Sequence, residues 1–90
     1  MVVRSGDVLF EVVAGRAVLV DPSGAELITL NPVGTLIWDA LAQPADADSL
    51  TDRFQFEFEG VSSEQLRADI AAFLGELDGL SLLAEAAPAG

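Results

Sequence analysis

Three runs of β-branched and large apolar residues stand at the start of this chain, and the connections between them are too short to carry it from one end of a sheet to the other. Val8 to Val13 and Ala17 to Asp21 flank Ala14-Gly15-Arg16, and Leu27 to Leu30 follows the turn signal Pro22-Ser23-Gly24. A parallel crossover needs roughly a dozen residues or more, so the three strands are expected to form an antiparallel meander. Its first and third strands are then edges. One face of such a sheet is apolar and needs a cover.

The cover follows. Asn31 is a good N-cap and Pro32 is preorganised for the first helical position, so a first helix is expected from Pro32 to about Ala42. Val33, Leu36, Ile37, Ala40 and Leu41 fall at helical spacing, with Trp38 beside them. Gln43-Pro44 breaks the pattern, and Ala45-Asp46-Ala47-Asp48 reads as a polar loop. Between Ser49 and Phe58 two periods coexist. Phe54, Phe56 and Phe58 alternate with Gln55, Glu57 and Glu59, whereas Leu50, Phe54 and Phe58 stand four apart. The helical period is preferred; it puts Phe54 and Phe58 in the core and leaves Phe56 outside. Ser62-Ser63-Glu64-Gln65 is the clearest start signal, with Val61 and Leu66 placed to staple it, so a third helix begins at Ser63. Its stripe is Leu66, Ile70, Phe73, Leu74 and Leu77, and Asp78-Gly79 stops it. Strands followed by helices make an α+β domain with the helices on one face of the sheet. Residues 1 to 83 are read as that single domain, and 84 to 90 as a flexible tail.

Composition removes most chemistries. The 90 residues contain fifteen acidic side chains against four arginines, a net charge of −11, with no His, Cys, Lys or Tyr. Imidazole and thiol nucleophiles, Schiff-base lysines, zinc sites and disulfides are all excluded. Nucleic acid is a poor partner for so acidic a chain. The longest uncharged run, Leu27 to Trp38, contains Pro32 and is too short to span a bilayer, so no membrane segment is expected and the chain is read as cytoplasmic. Asp46, Asp48 and Asp52 lack the glycine and distal Glu of a calcium loop and are read as a solvated acidic segment; no metal, cofactor or catalytic residue is assigned. Glu57 with Glu59, and Glu76 with Asp78, are pairs that so many acids generate by chance.

The surface is more informative. Natural sheets protect their edges with charge, proline or a covering element, yet Ala25 to Leu30 offers only Glu26. An open edge of this kind accepts an extended peptide as a further strand, or it is covered by the C-terminal tail or by a second copy of the chain.

Leu30-Asn31-Pro32-Val33-Gly34-Thr35-Leu36-Ile37-Trp38-Asp39-Ala40-Leu41 resembles the LN-x-[TV]-G-x-x-I-W-x-x-L segment of PqqD-like proteins, also called RiPP recognition elements. Asp69, Ile70, Phe73, Leu74, Leu77, Leu82 and Leu83 match the closing D-[IV]-x-x-F-L-x-x-L-x-x-x-x-L-L pattern of the same family. The resemblance covers roughly residues 8 to 83. It implies a winged-helix-like domain of three strands and three helices that performs no catalysis. It further implies capture of the leader region of a ribosomally made precursor peptide as an extra antiparallel strand on the third strand, beside the third helix. Carried onto this chain, Glu26, Leu27, Ile28, Thr29 and Leu30 would make the strand contacts, and Leu66, Arg67, Ile70 and Leu74 would shape the groove wall. The implied partner is a modifying enzyme: a leader peptidase or cyclase of a lasso-peptide pathway, which is preferred, or a radical SAM protein. Two alternatives stand beside this reading. A small obligate subunit of a larger enzyme would attach through exposed apolar residues such as Phe56, Leu80 and Leu82. A DNA-binding winged helix would need a basic third helix, and this one is acidic.

Overall fold

The computed structural model describes residues 1–21, 24, 26–58 and 60–86. In chain order the elements are β1 (Val2–Arg4), β2 (Leu9–Val13), β3 (Arg16–Val20), β4 (Leu27–Thr29), α1 (Pro32–Ala40), α2 (Ala47–Phe54), α3 (Ser63–Gly79) and β5 (Leu83–Glu85). The three expected strands are β2, β3 and β4, an antiparallel meander in which Phe10 faces Leu19 and Leu19 faces Ile28. Ala14 and Gly15 both take positive φ, the two-residue hairpin geometry whose twist matches that of the flanking strands. Of the second turn, Pro22, Ser23 and Ala25 lie outside the described residues, as does Glu59.

The first helix starts as its sequence dictates. The Asn31 side chain accepts a hydrogen bond from the Gly34 N–H (2.7 Å), with Pro32 in the first turn. Thr35 is buried and its hydroxyl accepts the Ala17 N–H (2.8 Å), tying α1 to the middle strand. The buried stripe is rotated from the expected one: Ile37, Trp38, Ala40 and Leu41 face the core, whereas Val33 and Leu36 are exposed. Helix α2 starts earlier than expected, inside the acidic segment. Asp46 and Ser49 cap it reciprocally, Ser49 N–H to the Asp46 carboxylate (2.8 Å) and Asp46 N–H to the Ser49 hydroxyl (3.0 Å). The same segment's Asp48 pairs with Arg67, so neither acid is idle. Phe54 is buried, Phe58 half-buried against it and Phe56 82% exposed, the pattern of the four-residue period, although α2 itself ends at Phe54 and residues 55–58 form a turn and bend rather than the expected last turn of the helix.

Helix α3 is capped by Ser62, whose hydroxyl accepts from the Gln65 N–H (3.1 Å). It ends past Gly79 with Ser81 at positive φ and Leu82 N–H bonded back to the Leu77 carbonyl (3.0 Å). That return places Leu82 in the core, fully buried, and corrects its reading as an exposed residue; Leu80 remains exposed. It also launches β5, which pairs antiparallel with β1 through Val2 and Glu85, Val3 and Ala84, and Arg4 and Leu83. Ala84 and Glu85 are thus strand residues rather than a free tail, because the helix reversal delivers them beside the N-terminal strand; residues 87–90 lie outside the described residues.

One core joins these layers. Ala17, Leu19 and Leu30 of the sheet meet Ile37, Trp38 and Leu41, and beyond them Leu50, Phe54, Ile70 and Leu77. The fold is the expected α+β, winged-helix-like arrangement of a three-stranded antiparallel sheet and three helices, with the β1–β5 pair added. Among the described residues no helix is long and apolar enough to cross a membrane.

Candidate functional site

Strand β4 pairs with β3 on one side, and among the described residues no strand pairs on the other. Two main-chain hydrogen bonds define which residues face which way. Leu30 N–H donates to the Ala17 carbonyl (2.8 Å), and Asp21 N–H donates to the Glu26 carbonyl (3.1 Å). In an antiparallel ladder a residue turns its N–H and C=O to the same side and the next residue turns them to the other. Glu26, Ile28 and Leu30 therefore face β3, and Leu27 and Thr29 hold donor and acceptor toward open solvent. Both of those side chains are exposed, Leu27 at 72%, while Ile28 is half-buried on the core side. A proline at position 28 consequently removes an internal sheet bond, and a proline at 27 or 29 removes an outward one.

Beyond β4 in the chain, from Asn31 onward, residues of α1, the α2–α3 link and α3 line an apolar cleft of about 360 Å³. Asn31, Val33, Gly34 and Ile37 form its near wall, and Phe58 and Val61 of the α2–α3 link close one end. The far wall is the α3 stripe Leu66, Asp69, Ile70 and Phe73, spaced three and four residues apart on one helical face. Gly34 has a packing reason: a Cβ there would lie 3.1 Å from the Phe73 ring and 3.2 Å from the Asn31 side-chain oxygen. Among the described residues Asp69 is the one charged side chain in the lining, and it accepts a hydrogen bond from the Gln65 amide (2.9 Å).

The groove residues expected from the sequence divide. Leu66 and Ile70 border the cleft but are 5% and 1% exposed, so most of each side chain belongs to the core. Arg67 does not border it. One residue further on a helix is about 100° around the axis, and there the guanidinium is ion-paired with Asp48 of α2, which raises its pKa through that hydrogen bond. Leu74 is turned away by the same rotation and lines a depression with Met1, Val2 and Leu83. Asn31, Val33, Gly34, Ile37, Phe58, Val61, Asp69 and Phe73 were not anticipated as site residues. The spacing of 66, 69, 70 and 73 was a signal for the α3 members; nothing local placed Phe58 and Val61 opposite them.

The family of Coenzyme PQQ synthesis protein D (PqqD) matches residues 16–83. The chain belongs to the PqqD family. The matched span begins in β3 and ends at β5, so it includes β4, all three helices and the cleft between them. Among solved structures this PqqD-family chain is similar to TbiB1 in complex with the TbiA(beta) leader peptide, with 24% identity and a TM-score of 0.82 over 94% of this chain and 98% of that one. That likeness confirms the PqqD-like fold. No curated protein matches the chain. Among the described residues no three His, Cys, Asp or Glu side chains stand together to hold a metal ion.

Proposed function

We propose that this PqqD-family chain is a non-catalytic module that captures the leader region of a ribosomally made precursor peptide. The peptide adds as a strand antiparallel to β4, bonded to the main chain of Leu27 and Thr29, and sets apolar side chains into the cleft between α1 and α3. The observation that carries this is a strand edge that no described strand covers, followed two residues further along the chain by Asn31, the first lining residue of an apolar cleft. Main-chain bonds along an edge supply affinity, and pockets beside it supply selection. The similar TbiB1 fold is recorded with a leader peptide, which supports the same use here. A leader held this way leaves its downstream core free for a modifying enzyme, a leader peptidase, a cyclase or a radical SAM protein, with a lasso-peptide pathway preferred and the cytoplasm as the site of encounter. Calorimetric titration of the protein with the leader of a precursor encoded beside its gene tests this. One-to-one saturable binding is expected, and a folded protein that binds no such leader contradicts it.

The accessory-subunit reading keeps one observation in its favour. The sheet face opposite the core exposes Leu9, Val13 and Leu27, an apolar surface on which a partner could sit without occupying the cleft.

A further inference from the structure

A peptide site selects by charge as well as shape, and the arginines of this chain are all deployed away from the cleft. Arg4 lies over the Phe10 ring (4.6 Å) and Arg53 over the Phe54 ring (5.6 Å). Arg67 is held by Asp48. Arg16 stands on β3 opposite Val13, on the sheet face turned away from the cleft. None of the four lines the cleft, whereas Asp69 does and Glu26 stands exposed at the head of β4. The local sign at the site thus agrees with the net charge of −11.

The geometry points to a cationic ligand segment: an extended peptide that puts an apolar side chain into the cleft and a Lys or Arg, an even number of positions away on the same face, against Asp69. This rests on the reading of β4 as a peptide-accepting edge and adds the chemical class of the peptide. Alternate side chains of a strand share a face, so one extended segment reaches both the apolar floor and the carboxylate at its rim. The Asp69 carboxylate already holds the Gln65 amide and keeps further acceptor capacity for a second donor. An acidic segment would meet repulsion from Asp69, Glu26 and the whole-molecule field with no cation in the cleft to offset it.

Selection of the full-length protein against a displayed library of random peptides tests the inference without knowing the natural leader. Enriched peptides are synthesised with their cation intact and with it replaced by Gln. Enrichment of Lys and Arg beside apolar residues is expected, together with affinity that falls roughly threefold or more between low and physiological salt. The cationic form should be preferred over the Gln form by up to about fivefold, and Asp69→Asn should bring that ratio close to one. Enriched peptides that are acidic or without charge bias, or a ratio that Asp69→Asn leaves unchanged, overturn the charge inference while leaving strand addition intact. Enriched peptides indifferent to Thr29→Pro in a folded protein overturn strand addition, and the charge inference with it.

Discussion

Strand β4 and helix α3 supply the two halves of the proposed site and are built on opposite terms. Leu27 and Thr29 of β4 are exposed, and their main-chain groups point to solvent. Leu66 and Ile70 of α3 present only the outer surface of side chains otherwise buried among Leu19, Ile37 and Leu50. On the strand, then, binding is separable from folding, because the recognising atoms belong to the backbone and hold nothing else together. On the helix the two are entangled. Under the proposed strand addition, a chain organised this way would tolerate many peptide sequences along the edge and filter them at the cleft, whose shape is inherited from core packing.

The comparison breaks most visibly at Ile70. Ile70→Ala should leave a cavity and cost about 2–5 kcal/mol of stability, read by chemical denaturation, and it should weaken binding chiefly through loss of folded protein. A variant of undiminished stability that no longer binds would show α3 to be a recognition wall. Next in size is the contrast between two neighbouring prolines. Thr29→Pro should reduce leader affinity about tenfold or more by removing an outward donor and crowding the added strand, with little change in melting temperature. Ile28→Pro should lower stability instead, since its N–H faces Leu19. Equal effects of the two would mean that the ladder faces the other way.

Gly34→Ala sharpens the account of the cleft. The new Cβ would stand 3.1 Å from the Phe73 ring, which must give by a few tenths of an ångström, and it narrows the space for an apolar anchor. Affinity should drop for large anchors and less for small ones. The smallest effect concerns α2, away from the site. The N–H of Ser49 and its hydroxyl hold the Asp46 carboxyl below its ordinary value of 3.8. A depressed carboxylate stabilises the folded form above its unfolded pKa, and the effect is lost as pH falls through the folded value. Thermal unfolding followed from about pH 5 to about pH 3 should show a slightly shallower loss in Asp46→Ala than in the parent protein, and binding at neutral pH should be unaltered.

What could be read in advance was whatever depended on neighbours in the chain. The meander followed from short connections, α1 from Asn31-Pro32, α3 from Ser62 to Gln65, and the exposure of Phe56 from a four-residue period. Features set by distant partners were not legible. β1 and β5 are three residues each and pair across nearly the whole chain, so neither shows an alternating pattern long enough to notice. The cap of α2 was hidden in an Asp-rich stretch that resembles a loop. In the site, residues 26 to 30 were identified as an edge, but which of them turn outward depends on register with Ala17 and Asp21, a property of the pair of strands. Arg67 and Leu74 illustrate the same limit on a helix: they stand three and four residues from Ile70, yet on the side of it away from Asp69 and Phe73, and so outside the cleft.

The most direct measurement is amide hydrogen exchange by NMR across β4, free and with bound leader. Ile28 and Leu30 amides, already bonded to β3, should be protected in both states, and those of Leu27 and Thr29 should exchange fast in the free protein and become protected on binding. A leader that binds tightly while Leu27 and Thr29 continue to exchange freely would contradict strand addition at this edge.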